Sequence, residues 1–189
     1  MKCVAKLPPT YKEILAIDLQ KNKKLALEVN AIAVGIILVL AAVGHLLVPI
    51  VTLFHGWNLA ILLVGTVVYP VLHELVHGVC MKYFGSQTVK YGFTGLYAYA
   101  GSQDYFEKRA YLIIAMAPVV VWGIVLLFIS AVVDIQYFWG IYFIQIANLS
   151  GAAGDLYVTH RFSKLPGDIL IQDTGVSMVV YQDGRSSKA

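Results

Sequence analysis

The chain has 189 residues, of which 59% are hydrophobic and 13% are charged, and its formal net charge is +3. This composition is far more apolar than that of an ordinary globular domain, so it excludes a typical soluble protein and indicates an integral membrane protein. The basic residues lie beside the apolar segments rather than in a basic domain of their own, so no nucleic-acid partner is expected.

Residues 1–28 are predicted to be a cytosolic basic leader. Six lysines occur in the first 27 residues, and no continuous apolar core precedes the first long hydrophobic segment. We therefore expect no cleavable signal peptide and an amino terminus that stays in the cytosol. Lysines of this leader are expected to attract anionic headgroups, which makes the lipid bilayer a predicted partner.

Four later segments are each long and apolar enough to cross a bilayer as a helix, which takes about 20 residues. They cover residues 29–54, 59–84, 110–133 and 137–159. Lys and Arg are concentrated in the leader, in the connection between the second and third spans, and in the tail. The positive-inside rule then puts both termini in the cytosol.

Two stretches outside the spans have strand character. Residues 87–91 and 96–100 flank Gly92-Phe93-Thr94-Gly95 and predict a short membrane-associated hairpin between the second and third helices. Residues 169–182, around Asp173-Thr174-Gly175, predict a second small hairpin on the cytosolic side. Asp104 with Glu107 has the spacing of a capping box that would open the third span.

The predicted fold class is therefore all-α and integral to the membrane. It consists of a four-helix transmembrane bundle with the two short hairpins attached. The predicted organisation is a leader over 1–28, a transmembrane core over 29–160 and a cytosolic tail over 161–189.

The second span contains His73-Glu74-Leu75-Val76-His77. Residues four apart share a helix face, so His73 and His77 can bind one zinc ion while Glu74 points toward the same cavity. Zinc accepts neutral imidazole nitrogen, and a carboxylate beside it can act as general base toward water. An ionisable group at mid-bilayer costs about 2.5–3.5 kcal/mol on insertion scales, so these side chains need a compensating partner, which a bound cation would supply. The alternative is a polar cluster that pairs helices without a metal.

Hydrolytic zinc sites usually have a third protein ligand, and Asp155 in the fourth span is the best candidate. By the predicted topology Asp155 lies at a similar depth to the histidines. The small residues of 150–154 would let two helices approach closely. Alternatively, Asp155 pairs with Arg161 or Lys164 at the interface, and His160 is then the spare ligand.

Asn148 lies seven residues before Asp155 and falls on the same helical face. Its amide could stabilise an oxyanion during catalysis. An interhelical hydrogen bond is the equally open alternative, because amides commonly join membrane helices.

These motifs resemble the site-2 protease class of intramembrane metalloproteases, and more closely a group of small bacterial membrane proteins, the putative zincin peptidase family. The resemblance covers roughly residues 59–160 and is carried by His73-Glu74-Leu75-Val76-His77-Gly78, Phe84-Gly85, Ala117-Pro118, Asn148 and Gly154-Asp155. It implies one zinc ion per chain held by His73, His77 and Asp155, with Glu74 as general base. The sequence departs from the larger class in having no proline-rich loop between Asn148 and Asp155 and no recognisable PDZ or CBS domain.

The resemblance implies an intramembrane zinc metalloprotease of a bacterial plasma membrane. Its substrates would be membrane-embedded proteins, cut near the cytosolic side of the bilayer. The alternative is a catalytically inactive membrane scaffold that binds a metal or a partner through the same residues. A bis-histidine haem protein is disfavoured, because histidines four apart on one helix cannot take opposite axial positions.

Overall fold

The structure is a computed structural model that describes residues 3–95 and 97–185. Positions 1, 2, 96 and 186–189, which belong to the predicted leader, hairpin and tail, lie outside the described residues. The chain begins with strands and then alternates between long helices and short strands. In order, the elements are β1 (Cys3–Val4), β2 (Tyr11–Ile17), α1 (Lys23–Leu47), a 3₁₀-helix (Ile50–Phe54), α2 (Asn58–Tyr83), β3 (Lys90–Phe93), β4 (Ala98–Gly101), β5 (Tyr105–Glu107), α3 (Lys108–Val132), a 3₁₀-helix (Ile135–Tyr137), α4 (Phe138–Gly151), α5 (Ala153–Ser163), β6 (Ile169–Asp173) and β7 (Met178–Asp183).

Among the described residues, three helices are long and apolar enough to cross a membrane: α1, α2 and α3. They match the first three predicted spans, although α1 begins six residues earlier than predicted and ends at Leu47. Much of their apolar surface is exposed, for example Leu46 and Val67. Exposed apolar helix faces are what a lipid environment accommodates, so the helices indicate association with a membrane.

The prediction of a continuous fourth span over 137–159 is wrong. The segment forms two helices, α4 of 14 residues and α5 of 11, that meet at Ala152. The break falls within Ser150-Gly151-Ala152-Ala153-Gly154, where two glycines lower the local helix propensity. Neither piece is long enough to cross the bilayer alone.

The all-α class is also wrong, because the structure contains a five-stranded antiparallel sheet with strand order β1-β5-β6-β7-β2. Both predicted hairpins are present, as the separate pair β3–β4 and as β6–β7 within this sheet. The leader, predicted only as a cytosolic basic segment, contributes β1 and β2. Its strands pair with β5 and with β7, the latter more than 160 residues further along the chain.

The predicted capping box at Asp104 and Glu107 is wrong as well. Residues Tyr105–Glu107 form β5, and α3 begins only at Lys108. The Asp104 carboxylate instead accepts hydrogen bonds from Ser86 Oγ at 2.7 Å and from the backbone N–H of Gln87 at 3.0 Å. It therefore fixes the start of the segment that leads into β3.

The described chain divides into two units that interleave along the sequence. The first contains Met1–Leu27, Glu74–Ala117 and Asp155–Ala189, and the second contains Glu28–His73 and Pro118–Gly154. Helices α1, α2 and α3 run without interruption from one unit into the other. The predicted division into leader, core and tail stays a prediction.

In the first unit, the core follows one row of side chains across the sheet. Phe106, Ile171 and Val180 are register partners on β5, β6 and β7, and each is completely buried. Tyr111 of α3 and Phe162 of α5 are buried too, with ring centroids 5.7 Å apart. Aliphatic and aromatic side chains at successive strands thus produce the apolar face that a sheet needs to be stable.

In the second unit, buried Asn58 at the start of α2 joins the loops between helices. Its amide group donates to the carbonyls of Thr52, His55 and Gln136, and its Oδ1 accepts from the N–H of Gly140 at 2.9 Å. One side chain therefore contacts four backbone groups at helix and loop ends, with three carbonyls sharing its two N–H donors.

Candidate metal site

The helical turn that carries the histidine motif is formed as predicted. His73 and His77 lie on α2, are 7% and 8% exposed, and lie four residues apart on one face. Tyr69, four residues earlier, extends the same face. The spacing Tyr-x₃-His-x₃-His was readable in the sequence, but its first member was not singled out.

A backbone carbonyl orients the ring of His77. Its Nδ1 lies 2.9 Å from the carbonyl oxygen of Ile114 on α3. A carbonyl only accepts hydrogen bonds, so Nδ1 carries a proton and Nε2 is the nitrogen left to bind a metal. That Nε2 lies 3.6 Å from Oδ2 of Asp155.

Asp155 is positioned by the helix break that the sequence did not predict. It lies in the first turn of α5, where the helix dipole favours a carboxylate. The alternatives for this residue were an ion pair with Arg161 or Lys164, whereas the structure pairs it with His77.

The three predicted ligands come together. One nitrogen of each histidine and one oxygen of Asp155 lie within 4.8 Å of one another, so this group could hold a metal ion. His160, the spare candidate, is not a member of this group. Helix α2 itself positions His73, because one unbroken helical turn fixes it relative to His77.

Glu74, the predicted general base, faces a strand edge. Its Oε2 accepts a hydrogen bond of 2.7 Å from the backbone N–H of Ala100 on β4. Ala100 is the register partner of Tyr91 on β3, and its N–H points away from that strand toward Glu74. The carboxylate therefore lies along the outer edge of the β3–β4 hairpin.

Three close approaches hold this hairpin in place. Ser102, two residues after Ala100, donates its backbone N–H to the carbonyl of Asp173 at 2.6 Å. A side chain at Gly101 would overlap with the backbone carbon and oxygen of Thr174. On the other strand, a side chain at Gly78 of α2 would overlap with the Tyr91 ring, so glycine lets β3 approach the motif helix closely.

Asp173 is a buried carboxylate that the sequence reasoning placed in a turn and assigned no role. Its Oδ1 accepts from the N–H of Gly175 and its Oδ2 from the hydroxyl of Tyr111, both at 2.8 Å. Burial raises the pKa of Asp173 above 3.8, although those two hydrogen bonds oppose the shift. No sequence pattern pointed to it, because its partners lie 62 residues back in the chain and across a turn.

Asn148 is completely buried on α4. Its Oδ1 accepts from the Tyr69 hydroxyl at 2.6 Å, and its amide donates to the carbonyl of Val119 on α3 at 3.2 Å. These contacts match the interhelical hydrogen bond that was one of its two predicted roles. Catalysis by its amide stays a prediction.

The donor set fits zinc. Two imidazoles and one carboxylate form the nitrogen and oxygen set found in hydrolytic zinc sites, which keep a fourth position for water or substrate. Both histidines also have a hydrogen-bond partner at Nδ1, Tyr69 for His73 and the Ile114 carbonyl for His77. Such outer partners orient metal-binding imidazoles.

Comparison with known proteins agrees with this chemistry. The family model described as "Putative zincin peptidase" matches residues 66–170, which include the whole histidine motif and Asp155. A protein of Pyrococcus woesei, named "Uncharacterized 24.7 kDa protein in gap 5'region", is 32% identical over 122 residues. That alignment covers 62% of this chain and 53% of the relative, so the chain spans about half the length of this curated relative. No solved structure matches the chain.

Proposed function

Because this chain belongs to the putative zincin peptidase family, we propose that it is an intramembrane zinc metalloprotease that hydrolyses peptide bonds of membrane-embedded proteins. The observation that carries the proposal is the convergence of His73, His77 and Asp155 beside Glu74. Three helices able to cross a membrane support action on embedded substrates. The proposed location is a bacterial plasma membrane, with both termini and the cleavage site on the cytosolic side.

The ligands His73, His77 and Asp155 would hold one zinc ion per chain. When bound, zinc supplies a Lewis acid that polarises the scissile carbonyl and makes water more acidic. Glu74 takes a proton from the attacking water and returns it to the leaving amine. Glu74 lies on the same turn of α2 as the two histidine ligands.

The substrate is proposed to bind in extended form along the outer edge of β4. A helical peptide bond is shielded by its own hydrogen bonds, whereas an added strand exposes the bond to attack. The N–H of Ala100 lies on this edge and already donates to Glu74. The carbonyl of an added strand would take this N–H from Glu74, which would place that carbonyl next to the general base.

The first test is metal content. The chain, purified in detergent without chelator and supplied with zinc, is expected to retain about one zinc ion per chain by elemental analysis. Each of two variants removes one ligand: His77→Ala should abolish zinc binding, and Asp155→Ala should weaken it. A wild-type protein that takes up no zinc would refute the proposal.

A second test separates the protease from the inactive scaffold. Glu74→Gln preserves the size of the side chain and its acceptor for Ala100, but it removes the base. We expect this variant to keep its zinc and to lose cleavage of a fluorescently labelled transmembrane peptide in proteoliposomes. Equal cleavage by wild type and variant would refute Glu74 as the base, and no cleavage by either across a panel of transmembrane peptides would favour the scaffold.

A further inference from the structure

Both polar ends of the Asn148 side chain are hydrogen-bonded inside the protein rather than pointing into an open site. It is completely buried, its amide group donates to the Val119 carbonyl, and its Oδ1 accepts from Tyr69. The amide orientation is fixed by the Val119 carbonyl, since only the NH₂ end can donate to it. The oxygen of Asn148 is therefore the atom that faces Tyr69.

The direction of each hydrogen bond follows from a count of protons. Tyr69 has one hydroxyl proton, and it is donated to Asn148 Oδ1 at 2.6 Å. The same hydroxyl oxygen lies 2.9 Å from Nδ1 of His73. Since the hydroxyl proton is already used, Nδ1 of His73 must be the donor in that contact. In its neutral form, His73 therefore has its proton on Nδ1 and its lone pair on Nε2, the nitrogen that a metal would take.

The Tyr69 ring is itself fixed. It meets Trp122 edge to face, with ring centroids 6.3 Å apart and planes at 78°. Trp122 in turn donates its Nε1–H to the Leu72 carbonyl at 3.3 Å. Tyr69 is 6% exposed, so solvent cannot easily replace its hydroxyl as the acceptor for His73.

We propose that Tyr69 and Asn148 are positioning residues for the ligand His73, and that Asn148 acts through Tyr69 rather than on the substrate. This inference rests on the proposed zinc site. The two histidines differ in what their Nδ1 atoms contact, which is a backbone carbonyl for His77 and the Tyr69 side chain for His73. The Nδ1 partner of His73 can therefore be removed by a side-chain substitution.

The test compares zinc affinity in wild type, Tyr69→Phe, Asn148→Ala and the double variant, measured in detergent by competition with a chelator. Loss of an outer partner typically weakens metal binding by about 10–100-fold. We expect that loss for each single variant, and no further loss in the double variant, because both substitutions break one chain of contacts. The cobalt-substituted protein should show an altered visible spectrum in the same variants, since the His73 ring would change its orientation.

Tyr142→Phe is the matched control. Its hydroxyl donates to the Leu40 carbonyl at 2.9 Å in the same unit, so it also removes one tyrosine hydrogen bond. Zinc affinity in this control should stay within about twofold of wild type. Tyr69→Phe is the most informative variant, because it removes a single oxygen atom and keeps the ring that packs on Trp122.

Unchanged zinc affinity and an unchanged cobalt spectrum in folded Tyr69→Phe would overturn the positioning role while leaving the zinc site intact. The same holds if Asn148→Ala loses only peptide cleavage and keeps full zinc affinity, which would assign Asn148 to the substrate. A wild-type protein that binds no zinc would instead overturn the proposed function and this inference together.

Discussion

The hydrogen bonds along the outer edge of β4 predict a large effect for the smallest possible substitution there, Gly101→Ala. The added methyl group would overlap with the backbone carbon and oxygen of Thr174 and lie 2.6 Å from the nitrogen of Gly175. All three are backbone atoms in the turn between β6 and β7, so no side chain can rotate away. The strand or the turn must move.

The size of the effect follows from the distances. Non-bonded heavy atoms prefer separations of about 3.5–4.0 Å, so the backbone must shift by about 1 Å. The bond from the Ser102 N–H to the Asp173 carbonyl, now 2.6 Å, would then exceed the limit for a hydrogen bond. The charge-assisted bond from Ala100 to Glu74 would be weakened as well. Together these losses should lower the free energy of unfolding by about 3 kcal/mol.

The assay is equilibrium unfolding by denaturant in detergent, followed by the fluorescence of the three tryptophans. Gly35→Ala is the matched control, because a methyl group at Gly35 of α1 meets nothing within 4 Å. It should leave stability unchanged or raise it by up to about 1 kcal/mol through helix propensity. If Gly101→Ala costs less than about 0.5 kcal/mol, the packing of β4 against the β6–β7 turn does not hold the edge as argued.

Two further predictions concern buried polar groups. Asn58→Ala removes a hydrogen-bond partner of three loop carbonyls and of the Gly140 N–H, so it should destabilise the protein by about 3 kcal/mol in the same unfolding assay. The control is Asn30→Ala, at an exposed position of α1. Equal effects of the two substitutions would contradict the stabilising role of Asn58. Burial opposes ionisation of Asp104, but hydrogen bonds from Ser86 and the Gln87 N–H outweigh it and lower its pKa below 3.8. The ionised group therefore contributes stability above pH 3.8 that is lost as the pH falls through the lowered pKa. Stability profiles from pH 6 to pH 2 should show this loss in wild type and not in Asp104→Asn, and parallel profiles would refute it.

The local chemistry of the site was predictable because it depends on spacing within one helix. His73, Glu74 and His77 share a turn whatever the rest of the chain does, and the long apolar runs around them predict spans close to those observed. Asp155 required an assumption about depth in the membrane, and the structure places it beside His77 although the fourth span is broken. The membrane placement and the orientation of the termini remain predictions.

The remaining features depend on contacts between distant parts of the chain. No strand was predicted in the leader, because only its pairing with β7, far along the sequence, makes β2 a strand. Tyr69 was overlooked since its role appears only when Asn148 and His73 lie on either side of its hydroxyl. Asp173 likewise gains its contacts from Tyr111 and Ser102, which no local pattern joins to it.

By itself, then, the sequence determined an apolar chain with long helices and a two-histidine, one-glutamate turn, because composition and helical periodicity act over a few residues. Only the tertiary structure decided the antiparallel sheet, the break at Ala152 and the partners of His73, Glu74 and His77. The break at Ala152 depends on how small residues respond to packing. Most of the other features depend on contacts between distant parts of the chain, such as the bond from Ala100 to Glu74 across 26 positions and the bond from Tyr69 to Asn148 across 79. Such contacts form only when the whole chain has folded.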